Sequence, residues 1–146
     1  MFRMDKGGLN AVERFKESGN GVLFSSAMWE GIDIPGDALS MLIIAKLPFA
    51  VPGPVSEHER ALYGSSGAYK NNAAVPEMLI KLKQGFGRLI RTESDSGAVA
   101  ILDSRANTGG AYRRRVLSAL PDCRVTAEIS DVYSFFRAKK SPEYFM

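Results

Sequence analysis

Apolar and polar positions along this chain fall into blocks whose period changes. In "LNAVERFKES", residues 9–18, Leu9, Val12 and Phe15 recur at the spacing of one helix face. "NGVLFSSA", 20–27, is a short apolar run, and "LSMLIIAKLPF", 39–49, is a longer one stopped by Pro48. "GAVAILDSR", 97–105, is a third. Continuous apolar runs of this kind suit strands covered on both faces of a sheet. Helical spacing returns in "YRRRVLSAL", 112–120, which stops before Pro121. "RVTAEI", 124–129, reads as a weaker strand, and "SDVYSFFRAK", 130–139, as a helix with Ser130 placed to cap it. Strands alternating with helices predict an α/β fold with a mainly parallel sheet. Residues 50–73 break the pattern with Pro52, Pro54, Gly53, Gly64, Gly67 and "KNNA", and read as a long loop around one short helix.

The longest periodic block covers residues 74–92. Val75, Met78, Leu79, Leu82, Phe86, Leu89 and Ile90 share one helical face; Glu77, Lys81, Gln84, Arg88 and Arg91 share the other. Gln84, Arg88 and Arg91 thus form a stripe at i, i+4 and i+7. The same block carries Gly85 and Gly87, each costing about 1 kcal/mol against alanine inside a helix. Gly87 lies beside the arginine stripe, where bare backbone leaves room for a bulky anion. Arginine suits phosphate because its planar fork donates several fixed hydrogen bonds and stays charged. A solvated face with ion pairs to Glu77 or Glu93 accounts for the charges but not for the glycines.

A second dense stretch is "SSAMWEGIDIPG", residues 25–36. A strand ends in Ser25 and Ser26, and a compact turn follows with Trp29, Glu30, Gly31 and Asp33. Ligands of open α/β sheets bind beyond the carboxyl ends of strands. Serine hydroxyls there can hold phosphates and a carboxylate can accept a ribose hydroxyl. Trp29 can stack on a base, although a lone tryptophan more often packs.

Composition narrows the setting. A length of 146 residues suits one domain with a hydrophobic core. No apolar run approaches the roughly 20 residues of a membrane span, and the N-terminus lacks a signal peptide's apolar stretch, so a cytoplasmic protein is expected. The single Cys123 excludes a disulfide within the chain and any multi-cysteine metal site, and His58 in "SEHER" reads as a surface helix residue, so no metal ligand set is expected. Cys123 reads as a partly buried thiol, and "NTGG", 107–110, as a turn. The net charge of +3 is too small to argue for nucleic acid alone. The basic residues of the last third, among them Arg105, Arg113, Arg114, Arg115, Arg124, Arg137, Lys139 and Lys140, suit a solvated face or a polyanion partner.

"VLFSSAMWEGIDIPGDALSMLIIAKLPFAVPGPV" and "LIKLKQGFGRLIRTESDSGAVAILDSR" together resemble the second, RecA-like motor domain of superfamily 2 DNA helicases of the DinG and XPD type. The first stretch resembles that family's motif V. "QGFGRLIR" resembles its motif VI, "QxxGRxxR", and the likeness covers about residues 9–140. The resemblance implies that Gln84, Arg88 and Arg91 face an ATP site between two RecA-like domains. Arg91 would be the arginine finger, Arg88 a second γ-phosphate contact, and Gly87 the point of close approach. Asp33 would lie near the ribose and the coupling network, with Glu30 and Gly31 holding the turn. Ser25 would contact a backbone phosphate of a tracked single strand of DNA, with Ser26 beside it. ATP-driven translocation on single-stranded DNA is the implied activity.

The chain contains no "GxxxxGK[ST]" phosphate loop and no "DEAH"-like acidic box. ATP and Mg²⁺ would therefore be held mainly by a first motor domain, which would also carry any iron–sulfur cluster. The family's motif IV strand is not evident before residue 9. The resemblance therefore implies a sheet incomplete at its N-terminus, with an unpaired edge, in a chain that is part of a longer protein. The alternative is a nucleic-acid or protein-binding module of helicase-like fold that drives no unwinding, fused in some relatives to a nuclease.

Overall fold

The computed structural model describes residues 2–4, 9–26, 34, 38–91 and 95–145. The chain divides into two compact units: Met1–Leu42 with Gly85–Val99 and Glu128–Met146, and Ile43–Gln84 with Ala100–Ala127.

In the first unit, β1 (Phe2–Met4) pairs in parallel with β2 (Leu23–Ser25), Phe2 opposite Leu23 and Met4 opposite Ser25. A strand therefore does precede residue 9, against expectation, and it pairs one edge of β2. Between them, α1 (Leu9–Ser18) buries Val12 and Phe15, as its spacing predicts. It stops where Ser18 Oγ donates to the Phe15 carbonyl at 2.7 Å and Gly19 takes a φ of 69°, a left-handed conformation that glycine adopts without strain. Val12, Phe15, Ile34, Leu39 and Leu89 form one buried cluster, flanked by Leu23, Leu42 and Val99.

β3 (Met41–Ile44) and β4 (Ala98–Ile101) form a second pair. The Ala98 amide donates to Ser40 O and the Leu102 amide to Ile44 O, so both strands run the same way. β3 was expected to be covered on both faces. Instead its exposure alternates, with Met41 and Ile43 exposed and Leu42 and Ile44 inward. An apolar run alone does not say whether both faces of a strand have a neighbour.

The second unit holds the largest correction. Residues 50–73 are mostly helical, not a loop: α2 (Pro54–Leu62) and α3 (Ser66–Tyr69) are followed by a π-helical turn, Lys70–Ala74, that runs directly into α4 (Val75–Leu89). Pro54 opens α2 at a position where its missing N–H costs nothing. Ser65 Oγ accepts the Ala68 amide at 3.1 Å and caps α3. Pro76 cannot donate to the carbonyl four residues back, and the wider π turn just before it accommodates the break. Val75, Met78 and Leu82 are almost wholly buried, and burial of each such side chain contributes about 1.5–3 kcal/mol.

α5 (Arg113–Ala119) buries Val116 and follows Gly109, at φ 81°, in the expected turn. Residues 124–129 do not form the weak strand expected of them: 121–128 are not in a strand, and 121–130 are exposed. α6 (Ile129–Lys139) starts after Glu128, which occupies the N-cap position without a side-chain cap, and not after Ser130. Ser130 lies inside the first turn, where its carbonyl accepts from Ser134 Oγ at 2.9 Å.

Candidate functional site

The last turn of α4 is fixed from beneath and open from outside. Leu89 is buried in the first unit's core cluster, and Gly85 is buried on the same helix. A Cβ at Gly97 would sit 2.8 Å from both the Leu89 side chain and Ser40 O, so glycine lets the chain enter β4 against this helix end. At Gly87 the opposite holds, because a Cβ would meet nothing within 4 Å. Packing among the described residues therefore does not require this glycine.

Arg88 is half-buried, and its Nε is buried without a hydrogen-bond partner among the described residues. Such a donor costs about 1–3 kcal/mol if nothing meets it. Glu77, one of the two carboxylates named as a candidate ion-pair partner, is bound to Lys81 at 2.7 Å; Glu93 lies outside the described residues. Arg91 does not continue the helical stripe, because α4 ends at Leu89. Asp95 Oδ2 accepts the Arg91 amide at 2.9 Å, which draws the chain off the helical path. The Arg91 side chain turns back, and its Nε donates to the Arg88 carbonyl at 3.4 Å, satisfying a helix-end acceptor. Arg91 is exposed, as is Gln84 on α4.

Ser25 ends β2, half-buried, and Ser26 follows it, exposed. Trp29, Glu30, Gly31 and Asp33 lie outside the described residues. Of the expected site, the structure brings Arg91 onto Arg88 and leaves Gly87 open. His58 is exposed on α2, as expected; Cys123 is exposed, correcting the partly buried thiol. Among the described residues no group of His, Cys, Asp or Glu is placed to hold a metal ion, and no helix is long and apolar enough to cross a membrane.

Sequence reasoning missed Asp103, just past β4 in the second unit. It is 7% exposed, the one buried charged residue among those described. Its Oδ2 accepts the Leu47 amide at 2.9 Å and Arg105 Nη2 at 2.6 Å; its Oδ1 accepts Arg105 Nε at 2.9 Å and the Arg105 amide at 3.0 Å. The Arg105 hydrogen bonds, above all, hold the carboxyl well below the usual aspartate range despite its burial, and Asp103 in turn raises the guanidinium's pKa. The guanidinium also lies 4.9 Å from the Phe49 ring centre, and Phe49 meets Tyr112 at 5.3 Å. The available signal was an Asp-x-Arg triplet directly after an apolar strand.

A model of the helicase C-terminal domain matches residues 3–123. The chain belongs to that family. Parallel strand pairs flanked by helices agree with its RecA-like architecture. The chain is 39% identical over 133 residues to the ATP-dependent DNA helicase YoaA of Haemophilus influenzae, covering 88% of this chain and 20% of that protein. To the 3'-5' exonuclease DinG of Bacillus subtilis it is 38% identical over 125 residues, 82% of this chain and 13% of that protein. To the ATP-dependent DNA helicase DinG of Photobacterium profundum it is 41% identical over 112 residues, 75% of this chain and 16% of that protein. This helicase C-terminal domain is therefore of the DinG type and spans a fifth or less of these relatives.

Proposed function

We propose that this domain completes the ATP site of a DNA helicase and couples hydrolysis to movement along single-stranded DNA. The observation that carries the reading is the end of α4, where Arg88 Nε is buried with no hydrogen-bond partner among the described residues, beside the open backbone of Gly87. A phosphate oxygen is the kind of acceptor that group lacks. Arg91 acts as the arginine finger, Arg88 contacts the γ-phosphate, and Gln84 orients the reacting groups. Asp33 reaches the ribose, and Glu30 and Gly31 hold its turn. Ser25 and Ser26 contact phosphates of the tracked strand, and Trp29 stacks on a base. A first RecA-like motor domain supplies the phosphate loop and holds Mg²⁺. Closure of the two domains around ATP, and reopening after hydrolysis, moves the strand.

The Bacillus subtilis relative's name, an exonuclease, favours one second reading: the same fold serving a nuclease without unwinding. The test is ATP hydrolysis with and without single-stranded DNA, by this chain alone and by a protein carrying it with a phosphate-loop domain. The chain alone should be inactive and the longer protein stimulated by DNA. Hydrolysis by the pure chain would overturn the division of labour, and a longer protein indifferent to DNA would favour the second reading.

A further inference from the structure

The end of α6 and the 3-10 turn after it, Pro142–Phe145, gather aromatic rings and cations on one surface of the first unit. Tyr144 is the anchor: its hydroxyl lies 2.6 Å from Ser40 Oγ, and its ring is stacked near-parallel on the buried Phe136, at 17° and 6.2 Å. Phe145 packs edge-on against Tyr144 at 5.3 Å and against Tyr133 at 6.1 Å. The Arg137 guanidinium lies 4.9 Å from the Tyr133 ring centre and 5.8 Å from that of Phe145, and donates to the Tyr133 hydroxyl at 2.7 Å. Lys140 sits 5.8 Å from the Tyr144 ring centre.

The cations of the last turn complement the helix's negative end, which accounts for their sign. It does not account for the rings, since Tyr133 is 52% exposed, Tyr144 45% and Phe145 38%. These contact one another, and Tyr133 and Phe145 also contact Arg137, while keeping surface toward water next to Arg137, Lys139 and Lys140.

We infer that this cluster is a stacking platform for single-stranded DNA, separate from the Ser25 and Ser26 contacts. Unpaired bases stack on Tyr133 and Phe145, and the cations meet the backbone phosphates. A single strand fits better than a duplex, whose bases have no free faces. The inference deepens the reading of this domain as part of a DNA-tracking motor and rests on it for the choice of polyanion.

The test is a titration of the chain with labelled oligo(dT) at low salt, beside photo-crosslinking with thymidine analogues. Replacing Tyr133→Leu and Phe145→Leu together keeps apolar bulk and all charges, and should weaken binding about tenfold or more. Tyr133→Phe should bind as the parent does. Crosslinks should fall on Tyr133 or Phe145. Parental affinity in the double leucine variant would overturn the platform. So would crosslinks confined to residues 23–26, which would leave the motor reading standing. A double variant that lost self-association rather than DNA binding, by sedimentation, would mark the patch as an interface between copies and also overturn it.

Discussion

Two arginines, one in each unit, carry opposite arrangements. Arg105 is finished within the chain: its guanidinium is clasped by the buried carboxylate of Asp103 and lies over Phe49. Arg88 has its Nε buried with no partner among the described residues, beside a helix face left open at Gly87. Stability accounts for the first. The second costs stability unless something from outside meets it. The contrast separates a residue that holds the fold from one that, on the proposed reading, is kept for a ligand.

The largest expected effect sharpens that contrast. In a longer, active protein, Arg88→Ala should lower ATP turnover about 10²–10³-fold, the usual loss for one donor to transition-state charge, and should hold or raise the melting temperature without ATP, because it removes a buried donor left unmet. Arg105→Ala should do the reverse. Equal turnover losses in two well-folded variants would erase the distinction.

Asp103→Ala comes next. It leaves the Leu47 amide without its acceptor and should cost about 1–3 kcal/mol by urea unfolding. The sign of its pH dependence follows from a depressed folded pKa. The stabilisation is fully present above the unfolded aspartate value of about 3.9 and fades as pH falls below it toward the folded value. Parental protein should therefore lose more stability between about pH 6 and pH 3 than Asp103→Asn does. Parallel acid profiles would count against the clasp.

The smallest effect tests the open side. Gly87→Ala places a methyl group where nothing lies within 4 Å among the described residues and should stabilise the helix by up to about 1 kcal/mol. Turnover should nevertheless fall, because the methyl intrudes where the anion approaches. A stabler variant of unchanged activity would leave Gly87 without a purpose.

Much of the scaffold was legible in the residues. The spacing of Val12 and Phe15, and of Val75, Met78 and Leu82, marks helix faces that are buried as read. Residues 50–73 were misread because prolines and asparagines signal breaks locally, whereas a π turn lets Lys70–Ala74 run on past Pro76. The strand expected at 124–129 needed a partner, and β-branched composition does not reveal one. β1 was too short to leave a periodic trace. At the site, motif order pointed to Arg88 and Arg91, but helical spacing misplaced Arg91, since α4 ends at Leu89 and the Arg91 amide bonds Asp95 instead. Asp103 escaped notice because its role depends on Leu47, distant in sequence.

The most direct test is ATP hydrolysis by Arg91→Ala in the protein carrying both motor domains, with ATP affinity and melting temperature measured on the same sample. Hydrolysis should slow by about 10³-fold or more, the lower range for losing an arginine finger. Affinity should change far less, since a finger acts on charge that develops in the transition state. Arg91→Lys should fail as well, because an ammonium does not reproduce the planar fork. A folded Arg91→Ala protein that hydrolyses ATP at the parental rate would contradict the account and make Arg91 no more than a helix-end cap on the Arg88 carbonyl.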